Sequence, residues 1–320
     1  MASTDHAGVG PGLNQAPRIQ PLLLDDLEQH PGDVLALSEA ARWNQTEADW
    51  RLMLNQGQGY AIWADGAGGQ RQLAASTIVL PYGHSFAWIS MVLVLPDFQR
   101  RGYATRLLRH ALDELSARSV MAVLDATPAG LALYRQLGFV DAWGFGRYRC
   151  ESPAIAILDS AVTAGIRPLQ DSDWPAIDTM DSPVFGVSRL PVLRDLAQRL
   201  PGAAWVAHEQ GRLCGLVLGR DGREAVQIGP LLARNETVAK TLLATALRAV
   251  KGPVMVDLLD REMALREWLL GQGFMLQRPF TRMVHGTGTT AIAGAIASAS
   301  ASAAPGSAEG LVLVAGPELG

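Results

Sequence analysis

The stretch WISMVLVLPDFQRRGYAT, residues 88–105, decides the reading of this chain. From Trp88 to Leu95 it is apolar, rich in β-branched residues and closed by Pro96, the pattern of a buried strand. From Thr105 onward, Leu107, Leu108, Ala111, Leu112 and Leu115 recur at helical spacing. The turn between them carries Gln99, Arg100, Arg101, Gly102, Tyr103 and Ala104. A helix start exposes unpaired N–H groups at the positive end of its dipole, so a basic turn leading into one suits an anion. Gly102 and the small Ala104 let that anion, a phosphate or pyrophosphate, come close to the backbone. No Lys-Ser/Thr follows the glycine, which excludes an ATP or GTP phosphate loop. One glycine stands where a dinucleotide fingerprint has three, which argues against NAD.

Gln99-x-x-Gly102-x-Ala104 resembles the pyrophosphate-binding motif of the GCN5-related N-acetyltransferases, Gln/Arg-x-x-Gly-x-Gly/Ala. Leu133-Tyr134-x-x-x-Gly138-Phe139 is similar to a second motif of that family. The resemblance implies acetyl-CoA as cosubstrate and direct transfer of its acetyl group to a small-molecule primary amine in a ternary complex. It implies pantetheine bound along Val92, Leu93 and Val94, with a backbone N–H near Leu93 or Val94 polarising the thioester carbonyl. It places the pyrophosphate on the turn Gln99, Arg100, Arg101, Gly102, Tyr103, Ala104 and Thr105, and makes Tyr134 the general acid. Where the family often has Asn seven residues before this tyrosine, the chain has Thr127.

The 320 residues suggest two domains, and a composition 48% hydrophobic and 18% charged is that of a globular protein. The net charge of −4 argues against nucleic acid as partner. Two cysteines, Cys150 and Cys214, build neither a disulfide framework nor a zinc site, and no metal is called for. No apolar run approaches the roughly 20 residues of a membrane helix. The beginning of the sequence lacks a basic-then-apolar leader pattern, so a cytoplasmic protein without membrane partners, monomeric or homodimeric, is the expectation.

Residues 1–17 read as a flexible arm. Ile19 to Leu23 reads as a strand and residues 25–42 as helix broken at Pro31-Gly32. Thr46 with Asp49 forms a loose capping box for a helix reaching Leu54. Two strands, Gly59 to Ala64 and Gln72 to Leu80, follow, with a turn from Pro81 to Ser85. Val120 to Asp125 is a further strand, and Thr127 and Pro128 read as N-cap and N1 of the Tyr134 helix.

The pattern then repeats. Ile19-x-Pro21-Leu22-x-x-x-Asp26 is echoed by Ile166-x-Pro168-Leu169-x-x-x-Asp173, and Gly138-Phe139 by Gly273-Phe274. The expectation is an N-terminal catalytic unit at 18–150, a linker at 151–165 and a C-terminal unit at 166–320 with a flexible loop near 286–310. Each unit is expected to be α/β, with a mixed, mainly antiparallel sheet flanked by helices. The second turn, Leu232 to Val238, lacks glycine and carries Glu236, and Trp268 or Leu269 stands near the position of Tyr134. That unit is therefore read as degenerate, as in tandem members of the family. Leu311 to Ala315 is expected to rejoin it as an edge strand.

For the acceptor, Trp43, Asn44 and Gln45 form an aromatic and polar cluster suited to a pocket, and Trp88 lies on the central strand. Arg220, Asp257 and Arg282 are polar residues near strand ends that can reach the same pocket. Residues 88–91 offer no carboxylate base; His84, Asp125 or a water chain remain open for that role. Two further readings stay beside the transferase: a CoA-binding regulatory protein without turnover, and an acyl-CoA lyase or hydrolase.

Overall fold

The computed structural model describes residues 17–66, 68–155, 165–286 and 304–320. The expected arm and most of the expected linker and loop lie outside them. The first half runs β1 (Ile19–Leu22), α1 (Leu24–Gln29), α2 (Pro31–Ala40), α3 (Glu47–Gln56), β2 (Gln58–Asp65), β3 (Arg71–Tyr82) and β4 (Phe86–Val94). It continues with α4 (Tyr103–Ala117), β5 (Met121–Ala126), α5 (Leu131–Gln136) and β6 (Val140–Cys150). The second half repeats this order: β7 (Ile166–Pro168), α6 (Trp174–Phe185), α7 (Leu190–Arg199), β8 (Trp205–Glu209), β9 (Arg212–Arg220) and β10 (Val226–Ala233). Then come α8 (Glu236–Ala249), β11 (Val254–Leu259), α9 (Met263–Gly271), β12 (Met275–His285) and β13 (Leu311–Leu313).

Two local expectations are corrected. Pro81 and Tyr82 extend β3, so the turn is only Gly83 to Ser85. Thr127 and Pro128 do not start a helix: Thr127 accepts the Gly130 N–H at 2.9 Å in a turn, and α5 begins at Leu131.

All described strands join one sheet in the order β1-β2-β3-β4-β5-β12-β6-β11-β13-β10-β9-β8-β7. Only β4–β5 and β10–β11 run parallel, so this is the mixed, mainly antiparallel α/β architecture the sequence pattern implied. The two halves exchange strands at the middle. β12, from the second half, pairs with β5, and β6, from the first, pairs with β11. β6 and β12 also pair with each other along Val140 to Arg149. The last strand of each repeat thus completes the other half.

Helical periodicity is resolved into burial. Leu107, Leu108, Ala111 and Leu115 of α4 pack on Ile62, Ala75, Ile89 and Leu124. Leu242, Leu243 and Ala246 of α8 pack on Val217, Ile228 and Val256 in the same manner. A third core spans both halves: Val34, Leu37 and Trp50 belong to the same cluster as Leu193, Leu196 and Leu319. No helix among the described residues is long and apolar enough to cross a membrane.

Polar groups reinforce that contact. Asn44 is buried, its Nδ2 donating to the Ala225 carbonyl at 2.9 Å and its Oδ1 accepting from the N–H groups of Glu224 and Ala225 at 2.9 and 3.0 Å. Asp49 accepts at Oδ1 from Arg199 at 2.7 Å and from Arg220 at 2.5 Å, and its Oδ2 accepts the Thr46 N–H at 2.7 Å, the capping contact expected of α3. Burial opposes ionisation of Asp49, but the guanidinium groups of Arg220 and Arg199 outweigh it and hold the carboxyl below its ordinary range. A carboxyl depressed in this way stabilises the fold above its unfolded pKa of about 3.9, and the contribution is lost as pH falls through the lower folded value. Asp49→Asn takes one carboxylate from the buried Arg220, which keeps Glu318, and from the half-buried Arg199, which keeps Asp221, and should cost about 1–3 kcal/mol in urea unfolding at pH 7. The gap from wild type should begin to close only below about pH 4; equal stability at pH 7 would contradict this role.

Candidate functional site

The site begins with an irregularity in β4. Against β3, Ser76 pairs with Leu93 but Ile78 pairs with Ser90, so β4 carries one extra residue there. Met91 sits in the bulge with φ 51°, a conformation a non-glycine residue seldom adopts. Ser76 Oγ donates to the Met91 carbonyl at 2.8 Å and Thr77 Oγ1 to the Ser90 carbonyl at 3.3 Å, which holds the distortion in place. The parallel ladder to β5 ends at Trp88 and Val123. Beyond it the two strands part, and Val92, Leu93 and Val94 line a groove of about 870 Å³.

The groove continues onto the basic turn. Gln99, Arg100, Gly102, Tyr103, Ala104 and Thr105 all line it. Gly102 caps α4 with φ 78°, and a Cβ there would meet nothing within 4 Å, so space remains over the first helical N–H groups. Arg101 departs from its expected place: its Nη2 donates to the Asp97 carbonyl at 2.7 Å and its guanidinium lies 5.0 Å from the Phe98 ring, so it braces the turn. Arg100 is exposed. Tyr103 is buried against Phe98.

The groove's inner end opens into a smaller cavity of about 40 Å³, room for roughly three water-sized groups. Trp43, Val92, Thr127 and Arg278 line both spaces. Tyr134 stands in the cavity wall, and its hydroxyl makes no hydrogen bond among the described residues. Burial pushes its pKa up to about 12, so it is a protonated donor at neutral pH. Gly130 permits this placement, since a Cβ there would lie 2.5 Å from the tyrosine ring.

Of the acceptor candidates, Gln45 lines the cavity, 2% exposed, with Oε1 lacking a hydrogen-bond partner among the described residues. Asp125 also lines it, but both its oxygens accept from Arg282 at 2.9 Å. Burial raises its carboxyl, with Arg282 pulling the other way. Asn44 is corrected: its amide is consumed by the second-half backbone and does not line the cavity. His84 is corrected as well, since it is exposed in the turn beyond Tyr82, before β4, and the bulge and groove lie toward the other end of that strand. Trp88 does not line the cavity; its Nε1 donates to the Pro317 carbonyl at 2.9 Å and Arg282 lies 4.4 Å over its ring.

Among the lining residues that reading the sequence missed are Arg147, Arg278, Phe280, Pro317 and Glu318. Strand exchange carries Arg147 and Arg278 in on β6 and β12, and the 304–320 segment carries Pro317 and Glu318. Periodicity signals strands but not their exchange. Arg220, Asp257 and Arg282 are not in the lining, yet each holds a residue that is. Arg220 is ion-paired to Glu318, Asp257 accepts from Arg147 at 2.7 and 2.8 Å, and Arg282 grips Asp125.

The second half repeats the parting and closes it. The β10–β11 ladder ends at Ile228 and Val256, and β10 bulges against β9 between Ile228 and Leu231. β13 enters this gap and pairs on both sides, Leu313 with Leu231 and with Leu258. It is thus an interior strand, which corrects the edge position expected for Leu311 to Ala315; two parted strands offer it two ladders where an edge offers one. The second helix start is also engaged: Asn235 Oδ1 accepts the Val238 N–H at 3.0 Å and Arg234 pairs with Glu209.

The chain is similar to known proteins of one family. A family model described as Acetyltransferase (GNAT) family matches residues 24–139, and one described as Acetyltransferase (GNAT) domain matches residues 177–294. The uncharacterized N-acetyltransferase YitH of Bacillus subtilis is 24% identical over 254 residues, 77% of this chain and 85% of that protein. In fold, the chain is similar to a putative acetyltransferase from Pyrococcus horikoshii, with TM-score 0.71 and 20% identity over 99% of this chain and 100% of that one. It is similar as well to a tandem GNAT protein from the clavulanic acid biosynthesis pathway, with TM-score 0.57 and 15% identity over 84% and 98% of the two chains.

The fit of β13 depends on Gly229, whose φ is 152° and whose Cβ would collide with the Val314 carbonyl oxygen. Gly229→Ala should lower stability by about 1–3 kcal/mol and speed amide exchange at Leu311 to Val314 ahead of the rest of the sheet. Unchanged exchange there would contradict the account.

Proposed function

We propose that this chain, which belongs to the GCN5-related N-acetyltransferase superfamily and carries two of its domains in tandem, transfers an acetyl group from acetyl-CoA to a primary amine at the first half. One observation carries the reading: a groove that ends on an open helix start meets a small cavity with a few polar side chains and a protonated tyrosine in its wall.

The residues present fit the cosubstrate. The uncovered helix start at Gly102, Arg100 beside it and the small Ala104 suit a pyrophosphate. The parted backbone of Val92, Leu93 and Val94 offers peptide groups to pantetheine. Acetyl-CoA supplies the activated thioester. Tyr134 Oη, held neutral by burial, gives the proton needed by the departing sulfur. A backbone N–H near Leu93 or Val94 stabilises negative charge on the carbonyl oxygen. The walls of groove and cavity hold the two reactants in contact, which removes much of the entropic barrier.

Isothermal titration should give one acetyl-CoA site per chain, lost in Gly102→Glu and retained in Gly102→Ala, which carries the same backbone strain without the charge. Absence of binding by the wild type would overturn the reading. In a screen of primary amines, Tyr134→Phe should lower kcat about 10²–10⁴-fold with acetyl-CoA affinity unchanged; undiminished turnover would remove Tyr134 from the chemistry. Binding without acetylation of any amine would favour the regulatory alternative, and turnover of an acyl-CoA without acceptor would favour the lyase or hydrolase.

A further inference from the structure

The central strand offers no carboxylate to receive an amine, yet the cavity has one from elsewhere. The 304–320 segment leaves the β10–β11 gap and turns back on itself, Gly320 N–H donating to the Gly316 carbonyl at 2.9 Å. Tyr82 donates to the Leu319 carbonyl at 2.8 Å, Trp88 to that of Pro317 at 2.9 Å, and Arg189 to that of Gly320 at 2.5 Å. These contacts place Glu318 in the cavity wall at 2% exposure. Its Oε1 is ion-paired to Arg220, and its Oε2, fully buried, has no partner among the described residues. Gln45, which lines the same cavity, has a second buried oxygen without a partner among the described residues, its Oε1. A buried acceptor left unpaired is costly, and two in the wall of one cavity suit a group rich in N–H donors.

We infer that Glu318 Oε2 and Gln45 Oε1 form the receiving site for the acceptor's primary ammonium group, and that Glu318 takes the proton which frees its nitrogen. The inference rests on the acetyltransferase reading and deepens it. The ammonium gives one proton to Glu318 Oε2, and the freed lone pair forms the C–N bond as the C–S bond breaks. The sulfur takes the Tyr134 proton, the nitrogen's second proton refills Tyr134, and Glu318 passes its proton to water.

The surrounding charges leave this role to Glu318. Asp125 on β5 is closed by Arg282 of β12, and Arg147 on β6 by Asp257 of β11. Asp125 and Arg147 both feel the Glu318 charge. Behind Arg220 of β9 lies Asp49 of α3, itself shared with Arg199 of α7. Asp181 and Arg189 pair with each other against the Tyr82 side. Arg278 is the one lining cation without an ion pair among the described residues, and it stands where cavity and groove meet.

The test titrates ethyl-, butyl- and 2-phenylethylammonium into the full chain, with and without saturating coenzyme A, beside the corresponding alcohols. At least one ammonium ion should bind and its alcohol should not. Glu318→Gln, which can still accept from Arg220, should weaken the ammonium at least tenfold with acetyl-CoA affinity unchanged, and Glu318→Asp should recover part of the loss. Equal affinity in wild type and Glu318→Gln, or no ammonium bound by the wild type, overturns the inference. Failure of the wild type to bind acetyl-CoA strikes instead the reading beneath it. With an amine that is acetylated, the kcat/KM deficit of Glu318→Gln should shrink as pH approaches the amine's own pKa of about 10, where the free base needs no acceptor for its proton. A deficit constant with pH overturns the proton-accepting role.

Discussion

Two parallel strands that part beyond a bulge leave peptide groups facing one another with nothing between them, and the structure turns on how those groups are satisfied. Buried N–H and C=O groups need partners. In the first half the extra residue at Met91 sends β4 away from β5, and the resulting groove runs to the open start of α4. In the second half the same parting of β10 and β11 is filled by β13 from the chain itself. One repeat leaves its gap open as a groove; the other fills its gap with its own chain. The segment that does the filling then continues into the first half and closes its cavity with Pro317 and Glu318.

The halves are therefore interdependent at three levels. β6 and β12 cross between them, so the sheet is continuous. Asn44 and Asp49 place first-half polar groups on second-half partners. The inner cavity draws Gln45, Asp125 and Tyr134 from the first repeat, and Arg278 and Glu318 from beyond it. The degenerate look of the second turn, with Glu236 and no glycine, is compatible with this division of labour: its strands supply positioning side chains such as Arg220, Asp257 and Arg282.

What was legible in the sequence was local. Strand, glycine turn and helix around Gly102 could be read from apolar spacing because neighbours in sequence are neighbours in that motif. Tyr134 was singled out by its likeness to a family motif rather than by spacing, whereas the repeat was legible because both copies keep a similar order of elements. Arg101 was misplaced because its charge said nothing of Asp97 and Phe98 beside it. Asn44 looked like a pocket residue because an amide beside a tryptophan carries no mark of the backbone, 180 residues away, that satisfies it. Glu318 sits in a Gly- and Pro-containing run without period, and its importance comes from Trp88, Arg220 and Arg189, none of which is near it in sequence.

The structure of the acetyl-CoA complex tests the central claim most directly. The account predicts pantetheine between β4 and β5, the pyrophosphate over the N–H groups following Gly102, and β13 undisturbed between β10 and β11. Cofactor between β10 and β11 with β13 displaced would contradict it, because the second half would then be the one that keeps its space for a ligand.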